Sequence, residues 1–115
     1  MSSRIEINLL DDANPFEIDE DNLPHLFKHG AGERGIRFDL DLLDDIYMHD
    51  EPLFYEADPG GEADWLMLGH AQGEVVTVPL APPRSGLANK CRPIGMYTAS
   101  RADRAKYYSD IGRWR

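Results

Sequence analysis

Two histidines four residues apart, His25 and His29, have the type and spacing that suit proton transfer. Side chains four apart lie on one face of a helix, and imidazole gains and loses a proton near neutral pH. The pair fits a general base with a general acid. It also fits two ligands of a metal, or a structural role in which His29 binds the last carbonyls of its helix and His25 borders the core. Since no third ligand follows at a defined spacing, we expect no metal and no cofactor.

Cleavage of a phosphodiester without a metal also needs a cation for the charge of the transition state. Arg92 is the best candidate, and Lys28, beside His29, is a second one unless it only completes the end of its helix. The Tyr97 side chain could stack on a base or donate a proton. Alternatively, it could pack in the core. Because side chains alternate along a strand, Arg92 and Tyr97 share a face only if a bulge lies between them.

A basic segment interleaved with aromatic residues closes the chain. Such a segment is suited to binding RNA, because its cations can bind phosphates while its aromatic rings stack on bases. It also fits an amphipathic helix whose tyrosines pack on a sheet and whose arginines are solvated. The candidate RNA-binding residues are Arg101, Arg104, Lys106 and Trp114.

Charge is distributed unevenly over a chain whose formal net charge is −9. Residues 1–64 hold 18 acidic and four basic residues, whereas 65–115 hold three acidic and eight basic ones. The two halves would present faces of opposite charge if they fold apart; alternatively, the acidic residues only solvate their helices. The sequence has no apolar run of membrane-spanning length, no secretory signal pattern and a single cysteine, so we expect a cytoplasmic protein without membrane contact.

The hydrophobic pattern predicts an α+β domain at 16–109, preceded by an arm at 1–15 and followed by a tail at 110–115. Two N-terminal helices are expected, one ending at Gly30 and one over 36–49. Strands at 53–57, 65–70, 74–80 and 91–97 form an antiparallel meander, after a short strand at 16–18. A last helix, capped by Ser100, covers residues 101 to about 109.

Several motifs in this order resemble the BrnT-like toxins of bacterial type II toxin–antitoxin pairs. The first helix carries Asn22, His25, His29 and Gly30, at the Asn-x-x-His-x-x-x-His-Gly spacing of one branch of that family. An acidic helix and a glycine-containing strand follow. The strand and helix at the C-terminal end, opened by Arg92, complete the likeness over about residues 16–108.

The resemblance implies a RelE-like fold and a ribonuclease that cleaves RNA without a metal and is silenced by a cognate antitoxin. His29 with His25 would transfer protons, and Arg92 with Lys28 would bind the phosphate. The acidic helix would then be solvated or would bind the antitoxin. Gly95 and Tyr97 stand where the family has a serine and a second arginine. The second function to consider is therefore a catalytically degenerate, protein-binding member of a toxin–antitoxin or mobile-element system.

Overall fold

The computed structural model describes residues 4–5, 16–26, 38–48, 52–71, 73–86 and 90–112, with the backbone alone for Arg4, Ile5, His25, Met48 and Gly112. These segments form strands and helices around one sheet. The strands are β1 (Arg4–Ile5), β2 (Leu53–Glu56), β3 (Trp65–Ala71), β4 (Glu74–Ala81), β5 (Arg92–Pro93) and β6 (Tyr97–Thr98). The helices are α1 (Leu23–Leu26), α2 (Leu40–Met48) and α3 (Arg101–Gly112).

All pairings between these strands are antiparallel and the sheet centres on β3 and β4, while Phe16 forms only an isolated parallel bridge with Cys91. The strand order is β1-β2-β3-β4-β5, and β6 also pairs with β4. Runs of β-branched and large apolar residues favour these two long strands. The turn between them includes Gly73, whose φ of 81° is a conformation that glycine adopts without the steric cost of a Cβ.

The two faces of the sheet bury different clusters, because neighbouring side chains on a strand point to opposite sides. On one face, Met67 and Val76 pack with Leu42 and Ile46 of α2. On the other face, residues of the central strands pack with α3. That second cluster contains Leu53, Tyr55, Leu68, Val75, Ala99 and Tyr107.

Side chains cap the two longer helices at their first residues. Asp39 accepts a hydrogen bond from the backbone N–H of Leu42 at 2.8 Å, and Ser100 accepts one from Asp103 at 3.1 Å. Both contacts satisfy N–H groups that have no partner within the helix. The cap at Ser100 confirms the predicted start of the last helix, although that helix continues to Gly112, three residues beyond its expected end.

The α+β class and the antiparallel sheet are confirmed, but the arrangement of helices and strands differs from the expectation. In the N-terminal part that the structure describes, only α2 exceeds one turn, since α1 has four residues. Residues 27–37, which hold the rest of the first expected helix, lie outside the described segments. The last expected strand is divided into β5 and β6, and β1 adds a strand that the meander did not include.

Candidate functional site

Arg92 forms a two-point ion pair with Asp19. Its Nε lies 3.1 Å from Asp19 Oδ2, and its second terminal nitrogen lies 3.1 Å from Oδ1. The Arg92 side chain is 9% exposed, whereas the Asp19 side chain is 31% exposed. Such paired hydrogen bonds between a guanidinium and a carboxylate are among the strongest in proteins. The arginine predicted to bind a phosphate is therefore already bound by an anion of its own chain.

Asn22 holds the Asp19 segment against the edge of the sheet. Its Oδ1 accepts a hydrogen bond from the backbone N–H of Asp19 at 2.7 Å. Its Nδ2 donates to the carbonyl of Glu17 at 2.8 Å and to that of Pro93, in β5, at 3.0 Å. Asn22 is 1% exposed, so these contacts satisfy a buried amide. The asparagine thus fixes the position of the carboxylate that binds Arg92.

A second arginine approaches the same segment from the loop after β4. Arg84 donates a hydrogen bond to Asp21, and the same nitrogen lies 3.8 Å from Asp19 Oδ2. The backbone N–H groups of Arg84 and Ser85 donate to the two carboxylate oxygens of Glu17, at 2.8 and 3.2 Å. Both arginines near residues 17–21 therefore have carboxylate partners.

The contacts within this cluster shift the pKa values of Asp19 and Arg84. The Arg92 guanidinium, with the backbone N–H groups of Asn22 and Asp21, holds the pKa of Asp19 far below the ordinary value. The hydrogen bond to Asp21 raises the pKa of Arg84. Both shifts favour the charged forms of Asp19 and Arg84.

A bulge between β5 and β6 brings Arg92 and Tyr97 to the same face of the sheet. Leu80 pairs with Pro93 and Thr77 pairs with Tyr97. Three residue steps along β4 therefore correspond to four steps along the segment from β5 to β6. The extra residue reverses the alternation, as a bulge does. Arg92 and Tyr97 therefore both lie on the face that α3 covers. Burial and the nearby Asp103 carboxylate raise the pKa of Tyr97.

A cavity of about 210 Å³ lies beside the ion pairs. Carboxylates, guanidinium groups and one apolar side chain line it. Those residues are Asp21, Asn22, Glu62, Arg84, Arg92 and Ile94. Glu62 is exposed and has no ion-pair partner within the described segments.

The cations of α3 have different surroundings. Arg101 is exposed, while Arg104 and Lys106 are half-buried. Lys106 lies 3.8 Å from Asp103 and 5.0 Å from the centre of the Tyr55 ring, so the helix and the sheet already engage its charge. Tyr107 is buried against the sheet, and Tyr108 is 50% exposed. Of the expected RNA-binding residues, Arg101 offers the most accessible charge.

The structure leaves the histidine part of the predicted site undescribed. His29, Lys28 and Trp114 lie outside the described residues, and only the backbone of His25 is described, in α1. Their roles stay predictions. Sequence reasoning missed the function of Asp19, which stands 73 residues before its partner Arg92. An acidic residue ahead of a short helix carried no sequence signal for that pairing.

Comparison with protein-family models, curated proteins and solved structures found no match to this chain. Among the residues that the structure describes, no group of three histidine, cysteine or carboxylate side chains could hold a metal ion. None of the described helices has the length and apolar character needed to cross a membrane.

Proposed function

We propose that this chain is a protein-binding module of BrnT-like and RelE-like descent, which binds a basic protein and does not cleave RNA. The observation that carries the proposal is the Asp19–Arg92 pair. A phosphodiester at Arg92 would have to displace a carboxylate that is held by two guanidinium contacts and two backbone N–H groups. Between the two functions that the sequence resemblance implies, this pairing supports the non-catalytic one.

The outer face of α2 supports a basic partner. Asp41, Asp44 and Asp45 are exposed, and the helix contains no basic residue. Its opposite face is buried against the sheet, so the carboxylates are presented in one direction. A dense acidic surface accelerates association with a positively charged protein and penalises association with nucleic acid. A cognate antitoxin with a basic segment is the partner that fits this surface.

Activity on RNA tests the non-catalytic part of the proposal. Purified protein is expected to leave RNA intact, and its expression alone is expected not to arrest growth. A His29→Ala variant is the matched control, because the two proteins should behave alike. Cleavage by the unchanged protein that disappears with His29→Ala would refute the proposal and establish the ribonuclease.

Binding of the neighbouring gene product tests the protein-binding part. Co-expression with the protein of the adjacent reading frame is expected to give a complex whose affinity falls with salt. Asp41→Asn with Asp44→Asn should weaken that complex. Asp58→Asn with Glu56→Gln removes the same charge from exposed residues elsewhere and is the control. Absence of a complex, or equal weakening by both double variants, would refute the proposed docking face.

A further inference from the structure

We infer that the cavity beside the Asp19–Arg92 pair takes a cationic side chain, an arginine or a lysine, from the basic partner. The inference rests on the proposed function, since it names the point at which such a partner would anchor. The cavity holds about 210 Å³, far more than the roughly 10–15 Å³ that one water molecule needs on the same measure, so it has room for the head group of a side chain.

The balance of charge selects a cation over an anion. Both arginines in the wall have carboxylate partners, Arg92 with Asp19 and Arg84 with Asp21. Carboxylates nevertheless outnumber guanidinium groups by two in the cavity and the segment behind it. The carboxylates are Glu17, Asp19, Asp21 and Glu62, and the guanidinium groups are Arg84 and Arg92. An incoming anion would meet this excess, whereas an incoming cation would offset it.

The shape of the wall suits a long side chain with a charged end. Ile94 is half-buried and offers an apolar surface for a methylene stem. Asp21 and Glu62 are exposed carboxylates on the lining of the cavity, where they can contact the charged head. Asp21 already accepts a hydrogen bond from Arg84, a guanidinium of the same chain, so its carboxylate has the chemistry that such a group needs. Glu62, which has no ion-pair partner within the described part of the chain, is the free acceptor for a second cation.

Amide chemical-shift perturbation with short blocked peptides tests the site. Glycyl-arginyl-glycine and glycyl-lysyl-glycine peptides are the probes, and the glutamyl peptide is the anionic comparison. We expect the cationic peptides to shift the amides of Asp21, Glu62 and Ile94 in a saturable way. A Glu62→Gln variant should bind them about two- to fivefold more weakly, which is the effect of one exposed ion pair.

A Glu56→Gln variant is the control, since it removes an exposed carboxylate that does not line this cavity. It should bind the peptides as the unchanged protein does. No saturable shift at the cavity, equal effects of the two variants, or preferential binding of the glutamyl peptide would each overturn the inference. RNA is absent from this experiment, so cleavage of RNA would refute the proposed function alone, and failure of peptide binding would refute the cavity alone.

Discussion

Asn22→Ala is expected to destabilise the protein because one buried amide connects the Asp19 segment to β5. The substitution leaves the N–H of Asp19 and the carbonyls of Glu17 and Pro93 without their partner. Each hydrogen bond contributes a net stabilisation of about 1 kcal/mol. Three of them at a site that is 1% exposed give a loss of about 3 kcal/mol in the free energy of unfolding.

Asn22→Asp makes a sharper test, since it keeps the size of the side chain and one of its oxygens. Its second oxygen would face the carbonyl oxygens of Glu17 and Pro93, both of which need a donor. Burial of a carboxylate against two acceptors costs more than deletion of the amide. We therefore expect Asn22→Asp to be less stable than Asn22→Ala at pH 7, with the difference shrinking in acid as the new carboxyl is protonated.

Urea denaturation followed by circular dichroism measures both effects. Glu20→Ala is the control, because Glu20 is exposed in the same segment, and its stability should stay within about 0.5 kcal/mol of the unchanged protein. If Asn22→Ala lost less than about 1 kcal/mol, the three hydrogen bonds would contribute no more than one ordinary bond. The reasoning that Asn22 positions the Asp19 carboxylate would then be refuted.

Three further predictions concern single groups. Because Arg92 lowers the pKa of Asp19 in the folded state, the stability that this pair adds is fully present above the unfolded-state pKa of about 3.9 and is lost as the pH falls below it. The difference in stability between the unchanged protein and Asp19→Asn should be constant from neutral to mildly acidic pH and should shrink in stronger acid. A difference that stays constant in strong acid would contradict the pairing. Tyr55→Phe removes a 2.6 Å hydrogen bond to Asp110 from a fully buried ring, so urea titrations should show a loss of about 1 to 2 kcal/mol in the free energy of unfolding. An unchanged urea midpoint would mean that this hydrogen bond adds no stability. Burial raises the pKa of the Cys91 thiol to about 12, so a thiol reagent at pH 8 should label the protein only after denaturation. Rapid labelling of the native protein would disprove the burial of Cys91.

Local sequence signals predicted the elements whose formation depends on neighbouring residues. Ser100 caps α3 because a hydroxyl accepts from a backbone N–H three residues later, and this pattern is visible in the sequence. The β-branched run of β4 formed a strand for the reason that predicts it, since such residues pack well on a pleated surface.

Contacts between distant segments could not be predicted in this way. The bulge between β5 and β6 depends on how residues 92–98 pair with β4, and strand alternation alone placed Arg92 and Tyr97 on opposite faces. The Asp19–Arg92 pair joins residues 73 positions apart. Spacing rules apply within one element, whereas this contact depends on the register with which the segment at 16–22 meets β5.

The ligand that an arginine can bind depends on the charges around its guanidinium as well as on the guanidinium itself. A guanidinium that opens a strand next to an unoccupied cleft offers its donors to a phosphate. In this chain the same donors are used by a carboxylate whose position Asn22 fixes, and an exposed Glu62 adds negative charge to the lining of the cavity. A phosphate that binds at Arg92 must separate the Asp19–Arg92 ion pair and is repelled by the remaining carboxylates. A cation that binds here leaves the ion pair intact and is attracted by those carboxylates. The charge around Arg92, rather than its presence, is therefore the ground on which we propose a basic protein over RNA as the partner.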